Sequence, residues 1–310
     1  VAFDTDALIL TRHLRRGGEP SSFYRAVRDG RFVRLATGAY VPRATWDGLS
    51  ADERFLARVH ATAHKPGSRP VFGYLAAAAI WRLPMVAAWP AQIDLIAERG
   101  SRRSSRDERV RGEGAPADVV IVDGLAVTSL ARTLVDVARS SPPPVALAMV
   151  DFALSTRSTT VLGSPIDRDA LVAAVEEHDV ARGRASVRRV LELADGACDS
   201  PGESVSRATM HVLGVPRPVL QQRFVDAEGE MFADFWWPEF GVVAEFDGYG
   251  KYVRTEYMRP GESTADVVIR EKRREDRIRT LGPTLTRWDW PVAWSTAQLG
   301  ARLRGAGVRW

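Results

Sequence analysis

The spacing of apolar positions changes period several times along the chain, and each change predicts an element. Residues 4–16, "DTDALILTRHLRR", carry apolar side chains at helical spacing behind Asp4 or Thr5 as a cap. "GGEP" breaks that pattern. "SSFYRAVRDG" resumes it as a second short helix, with Ser21 or Ser22 as cap and Gly30 as stop. "RFVRLATGAYVP" then alternates apolar and polar about Thr37-Gly38, which predicts a β-hairpin. Helix, turn, helix, hairpin is the order of a winged helix-turn-helix, and it fills residues 1–50.

The middle, 51–163, mixes both periods. "DERFLARVHATAH" and "YLAAAAIWRL" read as helices, "AQIDLIAE" and "DVVIVDG" as strands. "VTSLARTLVDVAR" and "PVALAMVDFAL" are amphipathic helices opened by Thr128 or Ser129 and by the prolines at 142–144. The polar, basic "ERGSRRSSRDERVRGEG" reads as an exposed loop, and "STRSTTVLGSP" closes the region. The helices "DRDALVAAVEEHD" and "ASVRRVLELAD" form a bridge over 164–199.

The last segment, 200–310, changes character. "SVSRATMHVLG" is a helix headed by "SPGES". "PVLQQRFV", "MFADFWW" and "GVVAEFDG" are three strands joined by tight turns. "VVIREKRREDRIRTLG" is a charged helix, "TLTRWDW" a strand and "STAQLGARLRGAG" a last helix. The expected class is therefore α/β, a multidomain α+β chain whose C-terminal order is αβββαβα.

Composition narrows the function classes. The 310 residues are 45% hydrophobic and 26% charged, which is ordinary globular usage. No apolar run approaches the ~20 residues that span a bilayer, and the N-terminus lacks a signal-peptide pattern. The single cysteine, Cys198, excludes an intrachain disulfide and fits a reducing cytoplasm. Net charge is +4 with pI near 9.5, a mild basic bias compatible with a nucleic-acid partner. His60 and His64 have an i,i+4 spacing, but no third ligand lies nearby in sequence. There is no Walker loop, dinucleotide glycine fingerprint or nucleophile elbow.

The carboxylates of the last segment stand apart. Side chains two apart on a strand share a face, so Asp234 points with Phe232 and Trp236, and Glu245 with Val243 and Asp247. Glu245 and Asp247 lie about 6.5–7 Å apart along their strand, and pairing of the strands sets Asp234 against Glu245. Such acids repel unless a cation sits between them. Mg²⁺ takes a few carboxylate oxygens at ~2.0–2.1 Å and keeps waters elsewhere. Glu203, at the start of the preceding helix, adds a further acid. The plainer alternative is that these strands end at a rim and their acids are solvated.

"SPGES", "PVLQ", "DFWWPEFGVVAEFDGYGKY" and "EKRREDRIRTLG" together resemble the PD-(D/E)XK nuclease superfamily, in its very-short-patch-repair-endonuclease-like branch, over about 200–300. The resemblance implies a restriction-endonuclease-like fold and Mg²⁺- or Mn²⁺-dependent hydrolysis of DNA phosphodiesters. It assigns metal binding to Asp234 and Glu245 and matches Glu203 to the first-helix acid; the Phe246 carbonyl, on the strand edge that faces the site, is expected as an additional ligand. It matches Gln221 to the family's glutamine on the preceding strand and Asp276 and Arg279 to an Asp-x-x-Arg pair on the following helix. Asp247 stands where the superfamily usually has lysine; Lys251 or Lys272 would then supply the cation, with Arg279 steadying the charged transition state. The alternative for the helix is a solvated face laced by i,i+4 pairs.

"FYRAVRDGRFVRLATGAYVP", "VFGYLAAAAIWRLP" and "GLAVTSLARTLVDVAR" resemble the antitoxin component of type IV abortive-infection systems, over about 5–155. That resemblance implies DNA binding, self-repression and a cognate toxin-like protein. It sets Ser21, Ser22, Arg25 and Arg28 on the recognition helix, and Arg31 and Arg34 on a wing that meets phosphate. The leading expectation is a metal-dependent endodeoxyribonuclease with an N-terminal DNA-binding module. The alternative is a non-enzymatic antitoxin-like repressor with a degenerate nuclease fold.

Overall fold

The structure, a computed structural model, describes all residues except 1–2, 18–19, 66, 98–103, 113–117, 178–182 and 249–263. It is a mixed α/β protein of two compact units. The first comprises Val1–Ser141 and Ile166–Val187, the second Pro142–Pro165 and Arg188–Trp310.

The first unit opens with a 3-10 turn, Thr5–Ala7, whose cap Asp4 accepts the Asp6 N–H. β1 (Ile9–Leu10), α1 (Thr11–Gly17) and α2 (Pro20–Arg28) follow. The single helix expected over 4–16 is interrupted, because Ile9 and Leu10 pair with Tyr40 and Ala39. Helix α2 starts at Pro20, so Ser21 and Ser22 occupy its first turn rather than its cap. β2 (Phe32–Ala36) and β3 (Ala39–Pro42) form the expected hairpin, with Gly38 at φ +77° in the turn where a Cβ would be strained.

After α3 (Arg43–Gly48), Ser50 and Glu53 form a reciprocal capping box that starts α4 (Ala51–Ala63). β4 (Val71–Phe72), α5 (Tyr74–Ile80), β5 (Ile93–Ala97), β6 (Glu108–Gly112), β7 (Val119–Val122) and β8 (Leu125–Thr128) lead to α6 (Leu130–Ser140). The five strands lie in the order β6-β5-β4-β8-β7, with β5–β6 and β4–β8 parallel. β6 corrects the loop expected there: the run "ERVRG" is polar because it forms the outer strand of the sheet. Phe55, Val59, Phe72, Ala76, Ile80, Ile93 and Val127 form one core cluster.

The chain then enters the second unit for α7 (Pro143–Leu154) and α8 (Thr159–Leu162). It returns for α9 (Arg168–Glu177) and leaves again within α10 (Arg184–Leu193). The remainder is α11 (Pro201–Leu213), β9 (Val219–Asp226), β10 (Gly229–Trp237), β11 (Val242–Phe246), α12 (Thr264–Thr280), β12 (Thr284–Trp288), α13 (Trp290–Trp294) and α14 (Thr296–Ala306). Trp290 opens a helix instead of extending the strand, because Asp289 caps it and Pro291 fits its first turn. The sheet order is β12-β11-β10-β9, antiparallel except for β11–β12. Phe235 and Trp237 are fully buried, each contributing about 2–3 kcal/mol by the area it removes from water. α7 packs on α11 and is buried along Val145–Asp151. Asp151 within it accepts from Arg207 (2.8 Å), Ser204 Oγ (2.7 Å) and the Asp195 N–H (2.7 Å).

Candidate nucleic-acid interface and an occupied carboxylate cluster

Helix α2 is amphipathic at i, i+3 spacing, and this aims its arginines. Phe23 and Ala26 are buried, with the Phe23 ring 5.0 Å from Phe32 and 5.2 Å from Tyr40 on the hairpin. That contact turns Ser21, Ser22, Arg25 and Arg28 outward, and all four are exposed. Among the described residues, neither the Arg25 nor the Arg28 guanidinium has an ion-pair or hydrogen-bond partner. On the hairpin, Arg31 sits 3.9 Å from Asp29 with both side chains more than half exposed. Arg34 is exposed and reaches Thr37 Oγ1 at 3.4 Å. Four arginines expected to meet DNA therefore lie on one short helix and the hairpin it packs against.

The acids of the second unit are distributed differently from the expectation. Glu203 is the third residue of α11 and closes a Ser-x-x-Glu cap. Ser200 Oγ accepts the Glu203 N–H and donates to Glu203 Oε1 at 2.8 Å, while the Asp199 N–H donates to Oε2 at 3.0 Å. Gln221 Nε2 bridges Glu203 (3.1 Å) and Asp234 (3.4 Å). It does so from mid-strand at φ +46°, a strained conformation for glutamine. Burial, and then the nearby Asp234 charge, push the Glu203 carboxyl up to about 8. Asp234 Oδ2 accepts the Phe246 N–H at 2.8 Å, just beyond the last paired rung, Phe235 with Ala244, so a carboxylate continues the β10–β11 ladder. The Phe246 ring lies so close to Gly202 that a Cβ there would come within 2.0 Å of it.

Glu245 belongs to another group. It is buried, accepts from Arg274 at 2.6 Å and from Arg287 at 3.3 Å, and stands opposite Arg287 in the parallel β11–β12 pair. Arg274 also donates to the Phe232 carbonyl at 2.9 Å. Arg287 further pairs with Glu275 and lies 3.8 Å from Asp247. Two guanidinium groups thus compensate Glu245, where the expectation set a metal ion.

Asp276 and Arg279 pair with each other at 3.3 Å on the exposed face of α12, and Arg279 also approaches Glu275 at 3.6 Å. Lys272 is exposed on that helix, and Lys251 lies outside the described residues. His60 is buried and its ring lies 6.2 Å from that of Phe3, while His64 Nδ1 is 3.4 Å from Arg12. Among the described residues no group of three or more His, Cys, Asp or Glu side chains could hold a metal ion. Sequence reasoning missed Arg274 and Arg287. The alternation of "TLTRW" was the available signal, since it sets Arg287 on the β12 face that shares Glu245's rung.

Residues 73–193 match the family model described as AbiEi antitoxin C-terminal domain. Two uncharacterized proteins of Mycobacterium tuberculosis, from strains CDC 1551 / Oshkosh and ATCC 25618 / H37Rv, are each 34% identical to this chain over 165 residues. The matches cover 53% of this chain and 55% of each relative. The chain spans about half the length of the curated relatives it matches. The metal-dependent endonuclease expectation is corrected by these findings. The family matched is that of an antitoxin, and the acids expected to share a metal are engaged separately: Glu203 in a helix cap, Asp234 by the Phe246 N–H and Glu245 in an arginine clamp. Across its middle, the chain is similar to the C-terminal domain of an AbiEi antitoxin.

Proposed function

We propose that this protein is a non-enzymatic, DNA-binding regulator of the antitoxin type, with residues 1–50 acting as a winged helix-turn-helix. The observation that carries the reading is the outward face of α2, where Arg25 and Arg28 are uncompensated among the described residues. Arginines that lack carboxylate partners are free to neutralise phosphate, and the hairpin beside them adds Arg31 and Arg34. The antitoxin match directly downstream supports the same class and carries with it a toxin-like protein as functional counterpart. Self-repression follows if the DNA bound lies upstream of the protein's own coding region.

A mobility-shift titration with a duplex from that upstream region tests the reading. The doubly reversed variant Arg25→Glu/Arg28→Glu is expected to bind at least about tenfold more weakly and to lower the salt slope by about 1–2. Wild-type binding that is absent, or unaffected by both salt and the reversal, overturns it.

A further inference from the structure

A groove of about 550 Å³ opens in the first unit, with residues 33–37 of the hairpin along one wall. Arg34, Arg58, Lys65 and Arg106 line it together with Trp46 and Asp107. These cationic heads come from the hairpin, from α4 and its C-terminal end, and from the segment just before β6. Lys65 is shared with Glu108, 2.5 Å away. Arg58 is anchored by donating to the Pro90 and Ala91 carbonyls, which holds its guanidinium in place. Arg106 is exposed and has no ion-pair partner among the described residues. Four cationic side chains and one carboxylate, Asp107, therefore line one concavity, with Glu108 paired to Lys65 beside it.

We propose that this groove binds a small phosphate-rich anion, of the pyrophosphate or nucleoside-polyphosphate class. Its volume lies in the ~300–1,000 Å³ range of small-molecule sites. Its mixture of apolar wall, one aromatic side chain and convergent cations suits a ligand with a charged end and a less polar body. Arginine forks recognise phosphate oxygens in pairs, and Arg58 is held in advance of binding, so little side-chain entropy is lost there. A duplex backbone is the other source of phosphate. It meets convex arginine-bearing surfaces such as α2 more readily than a recessed groove.

Isothermal titration of inorganic pyrophosphate into the full chain tests the proposal. Lys65→Gln, Arg106→Glu and Arg25→Glu/Arg28→Glu are run alongside, with thermal melts to confirm folding. The expected result is saturable one-to-one binding by wild type. Binding should be at least about tenfold weaker in Arg106→Glu and Lys65→Gln, the size of one lost charge-assisted hydrogen bond. It should be retained in the α2 double variant. No saturable heat at millimolar pyrophosphate, or equal affinity in Arg106→Glu, overturns it. So does a loss of duplex binding in Arg106→Glu without any pyrophosphate binding, which makes the groove a DNA-backbone contact. Competition between pyrophosphate and duplex through the shared Arg34 rests on the DNA reading above. Binding of pyrophosphate without DNA does not, so the two readings fail separately.

Discussion

The charges of α2 and those around β10 and β11 were both conspicuous in the sequence, yet they have opposite fates. Arg25 and Arg28 protrude without compensation among the described residues. Glu203, Asp234 and Glu245 are each engaged, by a helix cap, a backbone N–H and two guanidinium groups respectively. A charged side chain points to function when its pairing is unfinished. Where cap and clamp are complete, the same residue type is part of the scaffold.

Four measurements put that contrast to the test. The largest effect is expected at Asp151, whose carboxylate satisfies Arg207, Ser204 and the Asp195 N–H inside α7. Asp151→Ala leaves Arg207 without its buried counter-ion and should cost about 3–5 kcal/mol in urea unfolding. A cost below 1 kcal/mol, measured the same way, would show that such groups are not structural.

Glu245→Ala should destabilise by about 2 kcal/mol, less because Arg287 keeps Glu275 and both arginines are partly solvated. Its duplex affinity should stay within about twofold of wild type. A variant of normal stability and impaired DNA binding would reverse the roles assigned to the two regions.

Glu203 supplies a pH signature. Its carboxyl rises from 4.5 to about 8 in the folded protein, so between those values the folded state keeps a proton that the unfolded chain has released. This stabilisation is fully present below about pH 4.5 and is lost as pH climbs through about 8. The slope is at most about 1.4 kcal/mol per pH unit for one proton. Urea titrations across that interval should show the decline in wild type and a flatter profile in Glu203→Gln. Parallel profiles would remove Glu203 as the titrating group.

Gln221 is expected to give the smallest change. Gln221→Ala loses the bridge to Glu203 and Asp234 while keeping the positive φ, and should cost about 1–2 kcal/mol. Gln221→Gly loses the same bridge but relieves the backbone, and should be about 1 kcal/mol more stable than the alanine variant. Equal melting of the two would mean that the positive φ stores no strain.

Local chemistry made much of this architecture legible. Thr37-Gly38 marked the hairpin, Thr128-Ser129 marked the start of α6, where Ser129 is the cap, and the alternation of "FADFWW" marked β10, because each signal acts within a few residues. Longer-range pairings were hidden. Ile9 and Leu10 read as helix until Tyr40 and Ala39 provide strand partners. β6 read as loop because an edge strand tolerates arginines and glutamate. The carboxylates misled for a related reason: Glu245 is compensated by side chains 29 and 42 positions away, which no local pattern reveals. Glu203 was the avoidable case, since Ser200-x-x-Glu203 before a helix is itself a cap signature.

The division of the chain also bears on synthesis and on dissection. The first unit needs Ile166–Val187, which leave the ribosome only after α7 has been made for the second unit. Until α11 arrives, the nascent α7, apolar along Val145–Val150, lacks the helix it packs on. A fragment excised at the boundaries of the antitoxin match, 73–193, keeps α7 and discards α11. Such a piece would carry an orphaned apolar helix and recruit chaperones or self-associate, whatever the integrity of the rest. Gene fusions or exchanges that respect this protein's architecture must therefore move all three crossings of the chain, at 141/142, 165/166 and 187/188, together.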